Sequence, residues 1–198
     1  MINGQPVTIE HATEVLTKYR HGLKIMLGGL TLSGGEPLMQ DRFAVRLLTA
    51  AKGMGVHTAI ETNGYLGERL SDQEIEQIDL TLLGLKTTPA RHLELTGKEM
   101  GPTLEFARRL SRLGRRMWIR FVLVPGLTDD PDDIDLIAEF AADLGTVERV
   151  EVLPFHQMGR YKWKELGLDY KLTDVQAPTP EMLESVCERF RAVGLEAH

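Results

Sequence analysis

Apolar residues recur along this chain in two rhythms that alternate from end to end. Ile9, Ala12, Val15, Leu16 and Tyr19 share one helical face behind Thr8, whose hydroxyl can accept an N-terminal amide. Leu30 to Ser33 is a short strand ending at a double glycine. Phe43, Leu47 and Ala51, with Ala44 and Leu48 beside them, form the next helix, stopped by Gly53 and Gly55. Val56 to Ile60 is a strand, and the loop 61–64 follows it. Leu80 to Leu85 is apolar throughout, as a strand buried on both faces requires. Thr103 to Leu113 is helical, Gly114 breaks it, and Met117 to Val124 carries a strong strand pattern. Asp130-Pro131 is a cap followed by proline at the first helical position, opening a helix through Leu144. Val150 to Leu153 is the last strand, a polar and aromatic loop runs to about Pro178, and Thr179-Pro180 starts a helix to Val193. A leading helix followed by five strand-helix units is the pattern of an α/β domain with parallel strands and helical crossovers. The whole chain, 1–198, is expected to be one domain.

A parallel α/β arrangement gathers its functional loops at the C-terminal ends of the strands. Gly34-Gly35, Thr62-Asn63, Lys86, Pro125-Gly126 and His156 all fall at such ends. Glycines at 34 and 35 let backbone amides approach a ligand, and Glu36 can accept from an ammonium or hydroxyl; a bare Gly-Gly turn is also an ordinary strand-to-helix connection. Thr62-Asn63-Gly64 reads equally as a turn or as a polar contact for a ligand. Lys86 brings a cation to a pocket edge. Arg120 interrupts an apolar strand, so its charge must be paired with a carboxylate of the chain or face a ligand carboxylate. His156 is a hydrogen-bonding residue or a ligand contact. Asp129, Asp130, Asp132 and Asp133 sit where acids interact favourably with a helix dipole. Tyr161 to Lys164 could stack on a base or stand in a solvated loop.

Composition narrows the function class. The formal charge of -6 and the pI near 5.6 argue against a broad basic surface for nucleic acid. No apolar run approaches the roughly 20 residues of a membrane span, and the first residues lack a signal-peptide pattern, so a cytoplasmic location is expected. No HExxH, paired-cysteine or Gly-x-Ser-x-Gly pattern is present. The single cysteine, Cys187, excludes an intramolecular disulfide framework.

Taken together, Ser33 to Gln40, Glu61-Thr62-Asn63-Gly64, Trp118-Ile119-Arg120, Val124-Pro125-Gly126 with Asp129-Asp130, and Leu153-Pro154-Phe155-His156 through Gly159 and Lys162-Trp163 resemble the pyruvate formate-lyase activating enzymes. These are radical S-adenosylmethionine (SAM) enzymes that activate glycyl radical enzymes. The resemblance implies a partial (β/α)6 barrel, here with five parallel strands and crossover helices and without the family's first strand. It implies SAM chelated to a 4Fe-4S cluster, an electron from reduced flavodoxin or ferredoxin, and hydrogen abstraction from a glycine Cα of a partner, pyruvate formate-lyase by best fit. Carried over by position, Gly34, Gly35 and Glu36 hold the methionyl amino end. Lys86 and Arg120 face the carboxylate and nearby charge, His156 contacts the nucleoside side, Leu85 lines the pocket through its backbone or apolar surface, and Thr62, Asn63 and Gly84 complete the site. Three departures stand out: the family's Cys-x-x-x-Cys-x-x-Cys loop has no counterpart here, Gly84 stands where the family has aspartate, and Glu61 stands where aspartate is usual. The resulting expectation is an N-terminally incomplete activase domain, inactive alone for want of cluster cysteines. The alternative is a cluster-less protein that binds SAM or the partner. Losing the first strand also leaves Leu30 to Ser33 as an open sheet edge.

Overall fold

The computed structural model describes residues 5–198. Five parallel strands, β1 (Gly29–Leu32), β2 (His57–Thr62), β3 (Leu80–Leu85), β4 (Arg116–Leu123) and β5 (Val147–Pro154), lie side by side in chain order. Sequential order in an all-parallel sheet requires each crossover to return beside the strand just left, which is how barrel-type α/β domains grow. The crossovers run through α2 (Asp41–Gly53), α3 (Asp72–Ile75), the pair α4 (Pro89–Thr96) and α5 (Gly101–Arg112), and α6 (Pro131–Asp143). Helix α1 (Ile9–Ile25) precedes the sheet, and α7 (Arg160–Glu165) and α8 (Pro180–Ala192) follow it.

The cap chemistry is as expected from the sequence. Thr8 accepts from the His11 amide, Asp130 from Asp132 and Asp133, and Thr179 from Met182. Three helices, α3, α4 and α7, have no counterpart in the apolar pattern because they are short and bury almost nothing: Ile75 in α3, and no residue of α4 or α7. Strand β2 runs on to Thr62, so Glu61 and Thr62 belong to the strand and not to the loop after it.

Alternation divides the strands into two faces. On one, Ile60, Leu83, Leu85, Met117, Ile119, Phe121, Leu123 and Val150 are buried under helices. Leu85, which the family resemblance places at the ligand pocket through its backbone or apolar surface, sends its side chain into the core, where it is 1% exposed, and only its backbone is left to face a ligand. On the other face, Glu61, Leu82 and Trp118 share one register row and Gly84, Arg120 and Glu151 the next. The charged residues of that second row are half-buried.

The two outer edges of the sheet differ. Residues 196–198 pair with β5 through Val150 and Val152. Among the described residues no strand pairs with the outer side of β1, whose Gly29 and Thr31 are exposed.

Phe190 of α8 is fully buried and meets Phe121 edge-on at 5.8 Å between ring centroids. Phe190→Ala is expected to lower unfolding free energy by about 3–5 kcal/mol, read as a fall in the urea midpoint with unchanged slope.

Candidate functional site

The site forms where β1, β2 and β3 end. Gly34 has φ +123, a backbone region that L side chains rarely adopt, and a Cβ at Gly34 or Gly35 would meet nothing within 4 Å. The double glycine thus turns the chain and leaves its peptide groups accessible. Glu36 comes next, and its carboxylate fastens the turn to the neighbouring strand. Oε1 accepts from the Leu38 amide (3.0 Å) and the Thr62 hydroxyl (2.7 Å), and Oε2 accepts from the Asn63 amide (2.9 Å). A carboxylate offers about four acceptor positions, so Glu36 keeps capacity for one further donor. Thr62 also accepts from the Gly64 amide, and Asn63 from the Tyr65 amide.

Two adjoining cavities open beside this staple. The smaller, about 220 Å³, is lined by Gly34, Gly35, Glu61, Thr62, Arg120 and Leu153 among others; the larger, about 460 Å³, has Met39, Tyr65, His92, Thr96 and Lys98 in its wall. Glu36, Asn63, Gly84 and Lys86 line both. Gly84 is informative because nothing in the fold demands a glycine there. A Cβ would meet only Thr62 O at 3.7 Å and Asn63 Cα at 4.0 Å, ordinary contact distances. A glycine inside a strand weakens it and marks a close approach by another group, and here it keeps the junction between the cavities open.

Arg120 is paired. Its Nη1 donates to Glu61 at 2.5 Å and its Nε to Glu151 at 2.8 Å. The first of these bonds crosses β3, the strand that carries Gly84 in register with Arg120. Ser33 donates to the other Glu61 oxygen at 2.7 Å, so one polar chain ties β1, β2, β4 and β5 together. Burial opposes ionisation of Glu61, but the bonds from Ser33 and Arg120 and the guanidinium charge outweigh it and hold its carboxyl below the ordinary value of 4.5. Burial likewise opposes the Arg120 charge, yet bonds to Glu151 and Glu61 raise its affinity for the proton. Of the two readings that the sequence left open for Arg120, the folded chain shows the ion pair.

His156 lies outside both cavities. It is exposed, and its Nδ1 accepts from the Met158 amide at 3.4 Å. Of the expected SAM-binding residues, then, Gly34, Gly35, Glu36, Thr62, Asn63, Gly84, Lys86 and Arg120 converge on the cavities, and Leu85 and His156 do not. Glu151 was missed although alternation places it on the face of Arg149 and Leu153. The wall residues His92 and Thr96 had no signal, because α4 shows no buried stripe, and Lys98 lies in the loop after it.

A domain of this architecture, with a Gly-Gly-Glu turn after an edge strand of an all-parallel sheet, has known counterparts. Residues 2–141 match the profile of the Radical SAM superfamily. The chain is 39% identical over 186 residues to the pyruvate formate-lyase 1-activating enzyme of Escherichia coli (strain K12), covering 92% of this chain and 76% of that protein. It is 40% identical over 195 residues to the pyruvate formate-lyase-activating enzyme of Staphylococcus epidermidis, covering 95% and 76%. A crystal structure of a domain of pyruvate-formate lyase-activating enzyme from Bacteroides vulgatus superposes with a TM-score of 0.71 at 26% identity, covering 86% of this chain and 98% of that one. The chain therefore belongs to the radical SAM superfamily and, within it, to the pyruvate formate-lyase-activating enzyme family.

That family implies a 4Fe-4S cluster, which needs several thiolates. The only cysteine, Cys187, is 4% exposed within the core beside Phe190, and burial pushes its thiol up. Among the described residues no group of three or more His, Cys, Asp or Glu could hold a metal ion. These residues do not fit the cluster.

The depressed Glu61 carboxyl links the site to pH. Its contribution to stability is present above the unfolded-state value and is lost as pH falls through the lower folded-state value. Glu61→Gln is expected to flatten the decline in thermal midpoint below pH 4.5 and to lower the midpoint at pH 7, checked by parallel melts from pH 3 to pH 7 (about 0.5-unit steps).

Proposed function

We propose that the paired cavities bind SAM and that the chain supplies the SAM-binding body of a glycyl radical enzyme activase, with pyruvate formate-lyase as the protein it acts on. The observation that carries this reading is the convergence of Gly34, Gly35, Glu36, Asn63, Gly84 and Lys86 on two joined cavities at one edge of the sheet. Their chemistry suits an amino acid head group. Glu36 keeps acceptor capacity for an ammonium, Lys86 offers three donors to a carboxylate, and the open glycines admit contact with backbone amides. Arg120 holds β2, β4 and β5 in place through its two carboxylates. When bound, SAM supplies the sulfonium whose reductive cleavage drives hydrogen abstraction from a glycine Cα. Reduced flavodoxin or ferredoxin is the reductant that the family resemblance implies.

A second reading is favoured by the cysteine count. The chain binds SAM or its partner protein without redox chemistry, and no cluster is held. Both readings share SAM binding and part on iron.

Anaerobic titration calorimetry of the chain with SAM tests the shared part. Binding is expected, with affinity falling about 10- to 100-fold in Lys86→Ala, the loss of one charge-assisted hydrogen bond. No heat at millimolar SAM would overturn it. Reconstitution with iron and sulfide separates the two readings: cluster absorbance only when a second polypeptide is present supports the activase, and none under any condition supports the binding protein. Gly84→Ala is expected to hold or slightly raise stability, by about 0.5 kcal/mol, while weakening SAM binding. Equal affinity in this variant would remove Gly84 from the site.

A further inference from the structure

Helix α4 forms a wall of the larger cavity through His92 and Thr96, yet none of its eight residues is buried. A helix this short does not hold itself in place, so something other than core packing fixes it. The fastening is Asp133, at the start of α6. Its Oδ1 accepts from the Thr88 hydroxyl at 2.9 Å, and its Oδ2 from the Thr87 hydroxyl at 3.3 Å and Arg91 Nη1 at 3.2 Å. Arg91 also lies 3.6 Å from Asp130. The Asp133 side chain is 15% exposed, and Thr87 and Thr88 are 1% and 5% exposed, so these bonds are shielded from water. Thr88 precedes α4 in an extended conformation, and its hydroxyl makes no capping bond to the helix; it serves the carboxylate instead. Helix α6 is itself anchored by Ile134, Ile137, Ala138 and Ala141, all buried. Lys86 is the residue before Thr87.

We propose that Asp133 is a positioning residue: it transmits the rigidity of α6 to α4 and to the end of β3, and so sets the larger cavity's wall and the placement of Lys86. This goes beyond an acid favouring its own helix dipole, a role that would show in the first turn of α6 and not in α4. The consequence for SAM rests on the ligand reading above; the placement itself does not.

The test is amide hydrogen exchange on the whole chain, without ligand, together with the carbon-13 resonance of reductively dimethylated Lys86. In Asp133→Ala, exchange across 87–96 is expected to quicken at least tenfold with residues 80–84, β4 and α6 unchanged, and the Lys86 resonance to shift. Asp133→Asn keeps an acceptor for Thr88 but turns a donor toward Arg91, so it should restore the Lys86 resonance and protection near residue 88 while Arg91 stays loosened. Unchanged exchange across 87–96, equal acceleration throughout the chain, or an unmoved Lys86 resonance overturns the proposal. Failure of the wild-type chain to bind SAM overturns only the ligand reading, since neither readout involves ligand.

Discussion

Five parallel strands can be stable only if their apolar faces leave water, and that burial constrains the rest of this molecule. The helices supply one cover, over a face built from residues such as Leu83, Ile119, Phe121 and Val150. The opposite face is packed differently along its length. Toward the N-terminal ends of the strands it is closed by a small apolar set, Ala59, Leu80 and Leu82 with Trp118 against them. Toward the C-terminal ends it is polar, and there the glycine turn, Glu36, Lys86 and the two cavities lie. The site is thus the part of the sheet that packing does not consume.

Charge on that open face is organised by mutual pairing. A guanidinium on a half-buried strand face is costly unless bonded, and Arg120 meets two carboxylates while Ser33 satisfies one of them further. The excess negative charge of that cluster stands beside Lys86, which lines the same small cavity. A cationic sulfonium group and an amino acid zwitterion are compatible with such a field. The same pairing makes Arg120 a brace between strands, so its role in the site is to hold geometry.

Family membership and donor chemistry point in different directions, and both are physical facts about the chain. The Gly-Gly-Glu turn and the Thr62-Asn63-Gly64 loop meet at the cavities with their hydrogen bonds made, and Gly84, a departure from the family's aspartate, stands between them where no backbone constraint requires glycine. The thiolates for a cluster are not among the 198 residues, and Cys187 is committed to the core. A scaffold can keep one half of a composite site because the two halves rest on different segments: the Glu36 staple joins only the turn after β1 to the end of β2.

Much of the architecture was legible before folding was considered. Leu80 to Leu85 announced a buried strand by its apolar run, Asp130-Pro131 and Thr179-Pro180 marked helix starts, and residues at the strand ends were gathered on one edge by the rule for parallel sheets. Those features are local, set by periodicity, capping and backbone freedom. The tertiary structure alone decided the rest. It assigned the Arg120 partner, because Glu61 and Glu151 lie 59 and 31 positions away in sequence and only strand order brings them together. It turned Leu85 into the core, since pleating and not proximity to Lys86 sets the direction of a side chain. It placed α4 by bonds from Asp133 some 45 residues on, a helix that no apolar stripe could have revealed. Local chemistry determined which elements form and where they end; which polar groups meet depended on burial of the sheet, because only that brings distant segments within hydrogen-bonding range.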